Sequence, residues 1–476
     1  MAPSRTETHS ADMLTCGGGG ACHGSKDDEE ESGLSPKRIA DLVRNETDHE
    51  VSAPSTPPST MTRRPAEAPS ARIADEIAAR LPLSFREFIG LMALLMSMSA
   101  MSIDILLPAL PEIGATLGVR DASNLPLVVT VFMLGMAIGQ LVWGPLADRF
   151  GRRRPLLLGL ALFVLATIAA VSTQSFSQLL AARFLQGIGG SVGRIIVTAI
   201  VRDLFAGREM ARVISMVMLV FILVPILAPS LGQLIILVAT WRWLFAALLA
   251  ASLTSLMWAA SRLPETRPLT ARTRHRTVRE ALVLVLSNRV TFGYGIASGF
   301  VLGMLVAYIA SSQQVFGRAF GLGKLFPFAF GSVACSIALA SFTNSRLVRR
   351  LGMRRLSHSA LVAHFGLSAA LALLGGTVPL PLWVALGGMA ACFFLYGLIL
   401  SNFTSIAMQP MGQAAGMAAS LTGSYTTATG ALLGTLIAGQ FNGTIIPLFT
   451  GFAGLGFCAS LSVFAAEGRA GLFRGE

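Results

Sequence analysis

Gly144-Pro145-Leu146-Ala147-Asp148-Arg149-Phe150-Gly151-Arg152-Arg153-Arg154 is a short glycine- and arginine-rich link between two long apolar runs, residues 125–143 before it and 155–170 after it. Loops dense in Arg and Lys between membrane-length segments stay on the cytoplasmic side of a bilayer. This stretch therefore predicts a chain that crosses a membrane, with this turn facing inward.

Outward from that turn, apolar runs recur at regular intervals. Helices are predicted at 88–111, 124–145, 155–173, 178–201, 212–238 and 242–262. Six more follow at 289–314, 325–345, 356–376, 381–407, 414–441 and 445–466. Each is near the ~20 residues that carry a helix across ~30 Å of hydrocarbon. Composition agrees: of 476 residues, 53% are hydrophobic and 13% charged, about half the charged share of a soluble domain. The 48 glycines fit close helix packing in lipid. Strand-like alternation is absent over any useful length, which excludes a membrane barrel. The fold class is an all-α membrane protein with twelve transmembrane helices.

Arginine sets the orientation. Arg149, Arg152, Arg153 and Arg154, then Arg202, Arg208 and Arg212, then the run from Arg262 to Arg289, then Arg346, Arg349, Arg350, Arg354 and Arg355 occupy alternate turns. The intervening turns hold only Arg120, Arg242, Arg318 and Lys324. The first set and both termini are expected in the cytoplasm. The net charge of +12 thus reflects topology rather than a nucleic-acid face. Residues 1–87 hold 15 of the 25 acids and 10 of the 37 basic residues, a net −5, which leaves +17 on the remainder, clustered in turns.

The opening stretch has an internal echo. Asn344-Ser-Arg-Leu-Val-Arg-Arg-Leu-Gly352-Met-Arg-Arg355 repeats it, with Gly352 where Gly151 stands and Arg349 in the place of Asp148. The expected organisation is a disordered cytoplasmic extension over 1–87, whose residues 73–88 can lie as an interfacial helix, and an N-terminal six-helix bundle over 88–262. A cytoplasmic loop over 263–288, a C-terminal six-helix bundle over 289–466 and a tail over 467–476 complete it. The extension is polar and acidic, too poor in apolar residues to fold alone, and Met61 offers an alternative start. The five cysteines suggest no disulfide framework. Cys335, Cys392 and Cys458 read as small packing residues, and Cys16, Cys22 and His23 match no zinc spacing.

Residues 281–466 contain no aspartate or glutamate. In the first half Glu112, Asp121, Asp148, Asp203, Glu209, Glu265 and Glu280 fall at helix ends or in loops. Asp104 is left as the one carboxylate expected within the membrane. A charged aspartate at mid-helix costs about 2.5–3.5 kcal/mol on insertion scales, and ionisable groups at such depth are functional by default. A site that gains and loses water or substrate can bind and release a proton there. The plain alternative is a structural hydrogen bond to a neighbouring helix. Arg183 and Arg194 are 11 residues apart, within ~20° on a helical wheel and ~16 Å in depth. With Gln186, Gly187 and Gly190 they form a stripe expected to line a cavity beside Asp104, although Arg183 can also snorkel to the outer surface.

Pro225, Pro229 and Gly232 interrupt the fifth helix and predict a hinge. In the second half, Tyr294, Tyr308 and Gln313 in the seventh helix, Tyr396 and Asn402 in the tenth and Tyr425 in the eleventh give a polar, uncharged cavity wall. Singly, each is more often a helix contact than a ligand contact. Gly321-Leu-Gly323-Lys324 lacks the first glycine and the hydroxyl of a phosphate-binding loop, so ATP-driven transport by this chain alone is excluded. His275, His358 and His364 make no metal spacing and are expected at solvated loop or helix-end positions. No nucleophile–base or metal arrangement for an embedded enzyme is present.

Ser102-Ile-Asp104-Ile-Leu-Leu-Pro108-Ala-Leu-Pro111, residues 144–153, Arg183-Phe-Leu-Gln-Gly187, Arg202-Asp203-Leu-Phe, residues 218–232, Ala297-Ser-Gly-Phe300, Asn344-Ser-Arg-Leu-Val-Arg-Arg350 and residues 414–425 carry a resemblance. In that order they resemble the major facilitator superfamily, and within it the bicyclomycin-resistance (Bcr/CflA) drug-efflux family, over residues 84–466. The resemblance implies two pseudo-symmetric six-helix bundles with substrate held between them near the midplane. It also implies a bacterial inner-membrane, proton-coupled antiporter for drugs or drug-like small molecules. It assigns proton coupling to Asp104 with Arg183, and a conformational latch to Gly144, Asp148, Arg149, Gly151 and Arg152. Asp148 would act as an anion near a helix N-terminus of the other half.

Departures from the family pattern are Met408-Gln409-Pro410-Met411 in place of an acidic turn, Gln233 after Gly232, and Arg194 where relatives place a basic residue near Thr198. A cavity with two arginines suits anionic or zwitterionic compounds. No cofactor is expected beyond the proton gradient. The expected partners are substrate, protons and lipid, with no nucleic acid, and the chain is expected to be a monomer. Two alternatives stay open: a dedicated exporter of an amino acid or other metabolite on the same fold, and a non-transporting sensor.

Overall fold

The computed structural model describes residues 83–205, 207–266 and 278–471. The expected extension, apart from its last few residues, and the middle of the expected central loop lie outside them. Helix α1 (Phe85–Asp104) starts on Ser84, whose hydroxyl accepts from Glu87 N at 3.3 Å, a side-chain cap for one orphan donor. It stops at Asp104 because Pro108 and Pro111 cannot donate to the carbonyls four residues behind them. A 3₁₀ turn at Leu107–Ala109 leads into α2 (Leu110–Thr116). The single first crossing expected over 88–111 is thus a broken one.

The N-terminal bundle continues with α3 (Leu127–Phe150), α4 (Arg153–Val171), α5 (Phe176–Leu204), α6 (Gly207–Val238) and α7 (Arg242–Arg262). Within the expected central loop, α8 (Val278–Ser287) is a short helix. The C-terminal bundle comprises α9 (Arg289–Ser312), α10 (Phe326–Leu351), α11 (Met353–Thr377), α12 (Leu382–Met408), α13 (Ala415–Ala438) and α14 (Ile446–Gly471). Among the described residues eleven helical segments are long and apolar enough to span a membrane. The eleventh expected crossing, α13, falls short in apolarity although it has 24 residues. Of its hydroxyls, Ser420, Ser424, Thr427 and Thr435 face a polar seam described below.

The internal repeat holds in the backbone. Gly151 and Gly352 both take positive φ with nearly extended ψ (87°, 177° and 77°, 160°), a region essentially restricted to glycine. Each ends one helix and turns the chain directly into the next on the arginine-rich side.

Helix α5 is the strut of the first bundle. A Cβ on Gly187 would collide with the Phe132 carbonyl of α3, one on Gly135 with Phe184 O, and one on Gly193 with Leu95 O of α1. A Cβ on Gly159 of α4 would stand 2.6 Å from Val192. Small residues let backbones approach where lipid gives no hydrophobic drive to associate. The Trp143 indole locks the same pair of helices by donating to Ile188 O at 2.7 Å.

The outward faces are apolar: Leu165, Leu219, Leu227, Met257, Phe328 and Leu373 are exposed. Trp243 and Trp383, also exposed, open α7 and α12 on the side opposite the arginines, where aromatic belts sit. The chain is a multi-pass membrane protein.

Gly187→Ala should lower the thermal midpoint of the detergent-purified protein, at a cost of about 1–3 kcal/mol for an overpacked contact. Gly366→Ala in α11, with nothing within 4 Å of its Cβ position, should leave the midpoint unchanged or raise it. Equal midpoints for the two variants would contradict the strut.

Candidate functional site

The two bundles meet along α3 and α13. Ser424 Oγ donates to Ala137 O at 2.7 Å, Ser420 Oγ to Gln140 O at 2.5 Å, and Gln140 Nε2 to Thr427 Oγ1 at 3.1 Å. Thr130 and Thr435 share a further hydroxyl contact nearer the other side. Gly144 lets Ser420 come close, its Cβ position lying 3.1 Å from the serine hydroxyl. On the arginine-poor side Gln314 Nε2 donates to Ala122 O at 3.1 Å.

Asp104 ends α1 and is 3% exposed. Among the described residues nothing hydrogen-bonds or ion-pairs with its carboxyl, so the structural hydrogen bond weighed as its alternative role is not made. Tyr308 of α9, in the other bundle, lies within electrostatic range of it. Tyr308 donates to Phe330 O at 3.2 Å and stacks on the Phe330 ring at 5.1 Å, with Phe393 at 4.8 Å. An aromatic wall from the second bundle thus stands opposite the carboxylate of the first. Gly232 of α6 packs on the carbonyl of Ile105, next to Asp104. It follows Pro225 and Pro229 inside one continuous helix.

The expected stripe on α5 divides. Arg183, fully buried, donates to Val128 O (3.2 Å), Ser102 Oγ (2.8 Å) and Gln186 Oε1 (2.5 Å), and its guanidinium lies 4.2 Å from the Phe132 ring centroid. Gln186 passes the network on to Thr167 at 2.8 Å. Gly187 and Gly190 meet Phe132 and Phe163. This upper part fills the bundle interior instead of lining a cavity, because the glycines draw α3 and α4 onto that face. Arg183 holds Ser102, two residues from Asp104, and forms no ion pair with Asp104 itself. Arg194 differs. Its side chain is exposed and makes no hydrogen bond or ion pair among the described residues. Tyr396 of α12 lies within electrostatic range of it.

Other expected wall residues lie elsewhere. Tyr294 is fully buried within the second bundle, bonded to His358 Nε2 (2.8 Å) and Glu467 Oε1 (2.9 Å). Asn402 ties α12 to α10 through Asn344 Oδ1 at 2.7 Å. Tyr425, 44% exposed, borders an outer groove of about 240 Å³ with Leu141, Leu282 and Phe292. Gln313 opens the π-turn Gln313–Ala319 with its Oε1 buried and unpartnered. Of the remaining expected residues, Asp104, Tyr308 and Tyr396 are buried and Arg194 is exposed.

At the arginine-rich end the expected latch closes inside the first bundle. Arg152 bridges Asp148 Oδ1 and Asp203 Oδ2, each at 2.7 Å. Burial opposes the charge of Arg152, but its bonds to Asp203 and Asp148 outweigh that and raise its pKa. Glu265 accepts from Arg152 N (2.7 Å) and Arg153 N (3.1 Å), capping α4. Asp148 thus pairs within its own half rather than with a helix of the other. The second bundle has a counterpart that sequence reasoning missed: Arg354–Glu467 (2.7 Å), with Tyr294 and His358. His358 and His364 are 2% and 1% exposed, not solvated. The reach of Glu467 back to α9 and α11 was not visible in the sequence.

A family model described as Major Facilitator Superfamily matches residues 92–435. A bicyclomycin resistance protein homolog of Haemophilus influenzae is 32% identical over 386 residues, 79% of this chain and 94% of that protein. Multidrug resistance protein D of Escherichia coli is 30% identical over 365 residues, 73% and 87%. A crystal structure of a D-xylose-proton symporter covers 80% of this chain and 97% of its own with TM-score 0.64 at 15% identity, a likeness of fold alone.

Double-mutant cycles on thermal stability should give a larger coupling for Arg152 with Asp203 than with Asp148. The Asp203 side chain is 11% exposed and that of Asp148 45%, and water screens the second pair. Coupling to Asp203 of about 1–3 kcal/mol is expected for such contacts; the reverse order would rule out this arrangement.

Proposed function

The chain belongs to the major facilitator superfamily, grouping with its bicyclomycin- and multidrug-resistance proteins, and on that premise we propose that it exports drugs or drug-like small molecules from a bacterial cytoplasm in exchange for protons. It is a membrane transporter and not an enzyme. The reading rests chiefly on Asp104: a buried carboxylate without a hydrogen-bonding partner, at a helix break, facing the aromatic wall of the opposite bundle.

The arginine-rich side is the cytoplasmic face of the inner membrane, with both termini on it. Asp104 takes a proton from the outer side, which removes the cost of a bare charge among apolar groups. The bundles then rock about the α3–α13 seam. Its hydroxyl-to-carbonyl bonds can exchange partners there without leaving a strong donor unpaired in lipid. Substrate entering from the cytoplasm displaces the proton. Bending of α6 at Pro225 and Pro229 reaches Asp104 through the contact of Gly232 with Ile105. Arg152, held by Asp148, Asp203 and, through its backbone, Glu265, keeps the inner ends of α3, α4 and α5 moving as one body. No cofactor takes part; the proton gradient supplies the free energy.

In proteoliposomes under an imposed pH gradient, Asp104→Asn should abolish substrate-evoked proton movement while leaving yield and thermal midpoint intact. Normal coupling in that variant would reject the assignment.

A further inference from the structure

A cavity of about 560 Å³ opens where the arginine-rich ends of α3, α4 and α7 meet, lined by Phe150, Arg153, Arg154, Arg262, Leu263, Glu265 and the residues between the last three. It shares no residue with the α3–α13 seam or with the surroundings of Asp104. Three guanidinium groups stand against one carboxylate in its walls. Two of those four charges are already engaged. Glu87 of α1 grips Arg262 with both oxygens, at 3.0 and 3.1 Å, and Glu265 accepts from the backbone N–H groups of Arg152 and Arg153.

Arg153 and Arg154 supply the surplus. Arg153 Nη2 donates to Ala260 O of α7 at 2.7 Å, which ties the start of α4 to the end of α7 and fixes the guanidinium in the wall. Its Nε is buried and has no acceptor, and an unmet donor on a charged group is costly. Arg154 is exposed, and its side chain makes no hydrogen bond or ion pair among the described residues. The cavity thus offers an anion one oriented donor and one uncommitted charge.

The surroundings favour an anion that belongs to the bilayer. Arg154, Leu158 and Leu165 are all exposed, at offsets of four and eleven residues that keep them within ~40° on the helix. Arg154 therefore heads an apolar stripe that runs along α4. Leu253 and Met257 are exposed on α7, behind Arg262. Phe150 is exposed beside the cavity, with the Arg149 guanidinium 5.3 Å from its ring centroid. A dissolved ion has no use for apolar stripes, whereas a phospholipid matches both parts. Guanidinium groups take phosphate oxygens in pairs, and basic pockets between transmembrane helices suit acidic headgroups.

We propose that this cavity binds the phosphate of an anionic membrane phospholipid on Arg153 and Arg154, with an acyl chain along the stripe of Leu158 and Leu165. A lipid held there braces the α3–α4 turn against α7, beside the Arg152 network. The proposal is independent of the transport reading and needs only that the arginine-rich ends lie at a membrane surface.

The test is native mass spectrometry of the purified full-length protein in a neutral detergent, titrated with phosphatidylglycerol or phosphatidylcholine. The first phosphatidylglycerol should bind about tenfold more tightly than phosphatidylcholine, a difference of ~1.4 kcal/mol. Arg154→Gln should weaken it about fivefold, the effect of one basic residue beside an anionic lipid, and adding Arg153→Gln should remove the preference. Arg350→Gln takes an exposed charge from the arginine-rich side outside the cavity and should leave the affinity unchanged. If the double variant fails to fold, the two single variants decide. Inorganic phosphate at ten times the lipid concentration should leave the lipid bound, as should a synthetic peptide carrying the chain's own acidic run, Asp27–Glu31. Equal affinity of the wild type for the two lipids, equal losses in Arg154→Gln and Arg350→Gln, or displacement by either competitor would each overturn the proposal.

Discussion

Backbone-to-backbone contact between α5 and its neighbours is the constraint on which the first bundle depends. Gly187, Gly193, Gly135 and Gly159 leave no room for a side chain where the helices cross. In lipid, where apolar surface gains nothing by leaving water, this close fit supplies the cohesion. It also restricts the rotation of α5, since a turn would drive a side chain into a neighbouring carbonyl. The positions of Arg183 and Arg194 follow from that rotation.

The two arginines illustrate how a shared helical face can carry separate roles. Arg183 falls where α1, α3 and α4 converge; its Nε and Nη1 donate to Val128 O, Ser102 and Gln186, and its Nη2 is buried without a partner. It holds the end of α1 in place and so positions Asp104 without touching it. Arg194, eleven residues further along, is exposed, and its side chain makes no hydrogen bond or ion pair among the described residues. Polar groups satisfied within one bundle stabilise that bundle; those left unsatisfied at the boundary are available to cargo and protons.

The pseudo-repeat shows a similar division between backbone and side chains. Gly151 and Gly352 make equivalent turns, yet the charges around them are balanced differently. One half uses Arg152 between Asp148 and Asp203, the other Arg354 on Glu467 with Tyr294 and His358 beside it. Each network ties helix ends together on the arginine-rich side. The seam of α3 with α13, by contrast, is built from uncharged hydroxyls and amides. Strong bonds lie within the bundles and weak exchangeable ones between them, the distribution that rigid-body rocking requires.

Membrane crossing, the repeat and the isolation of Asp104 were legible in the chain, because hydropathy, motif order and the absence of other acids are properties of residues in order. Tertiary structure alone decided which polar residues see one another. Tyr294, Asn402, Gln186 and Tyr425 have the same chemistry as residues at the boundary, but helix rotation turns them into a bundle or toward the outer groove. A helical wheel gives relative angles along one helix; it cannot say which angle faces the partner, since that depends on where glycine allows backbones to touch. For the same reason the bonds of Ser424, Ser420 and Thr427 with α3 exist only once both bundles are folded and set face to face.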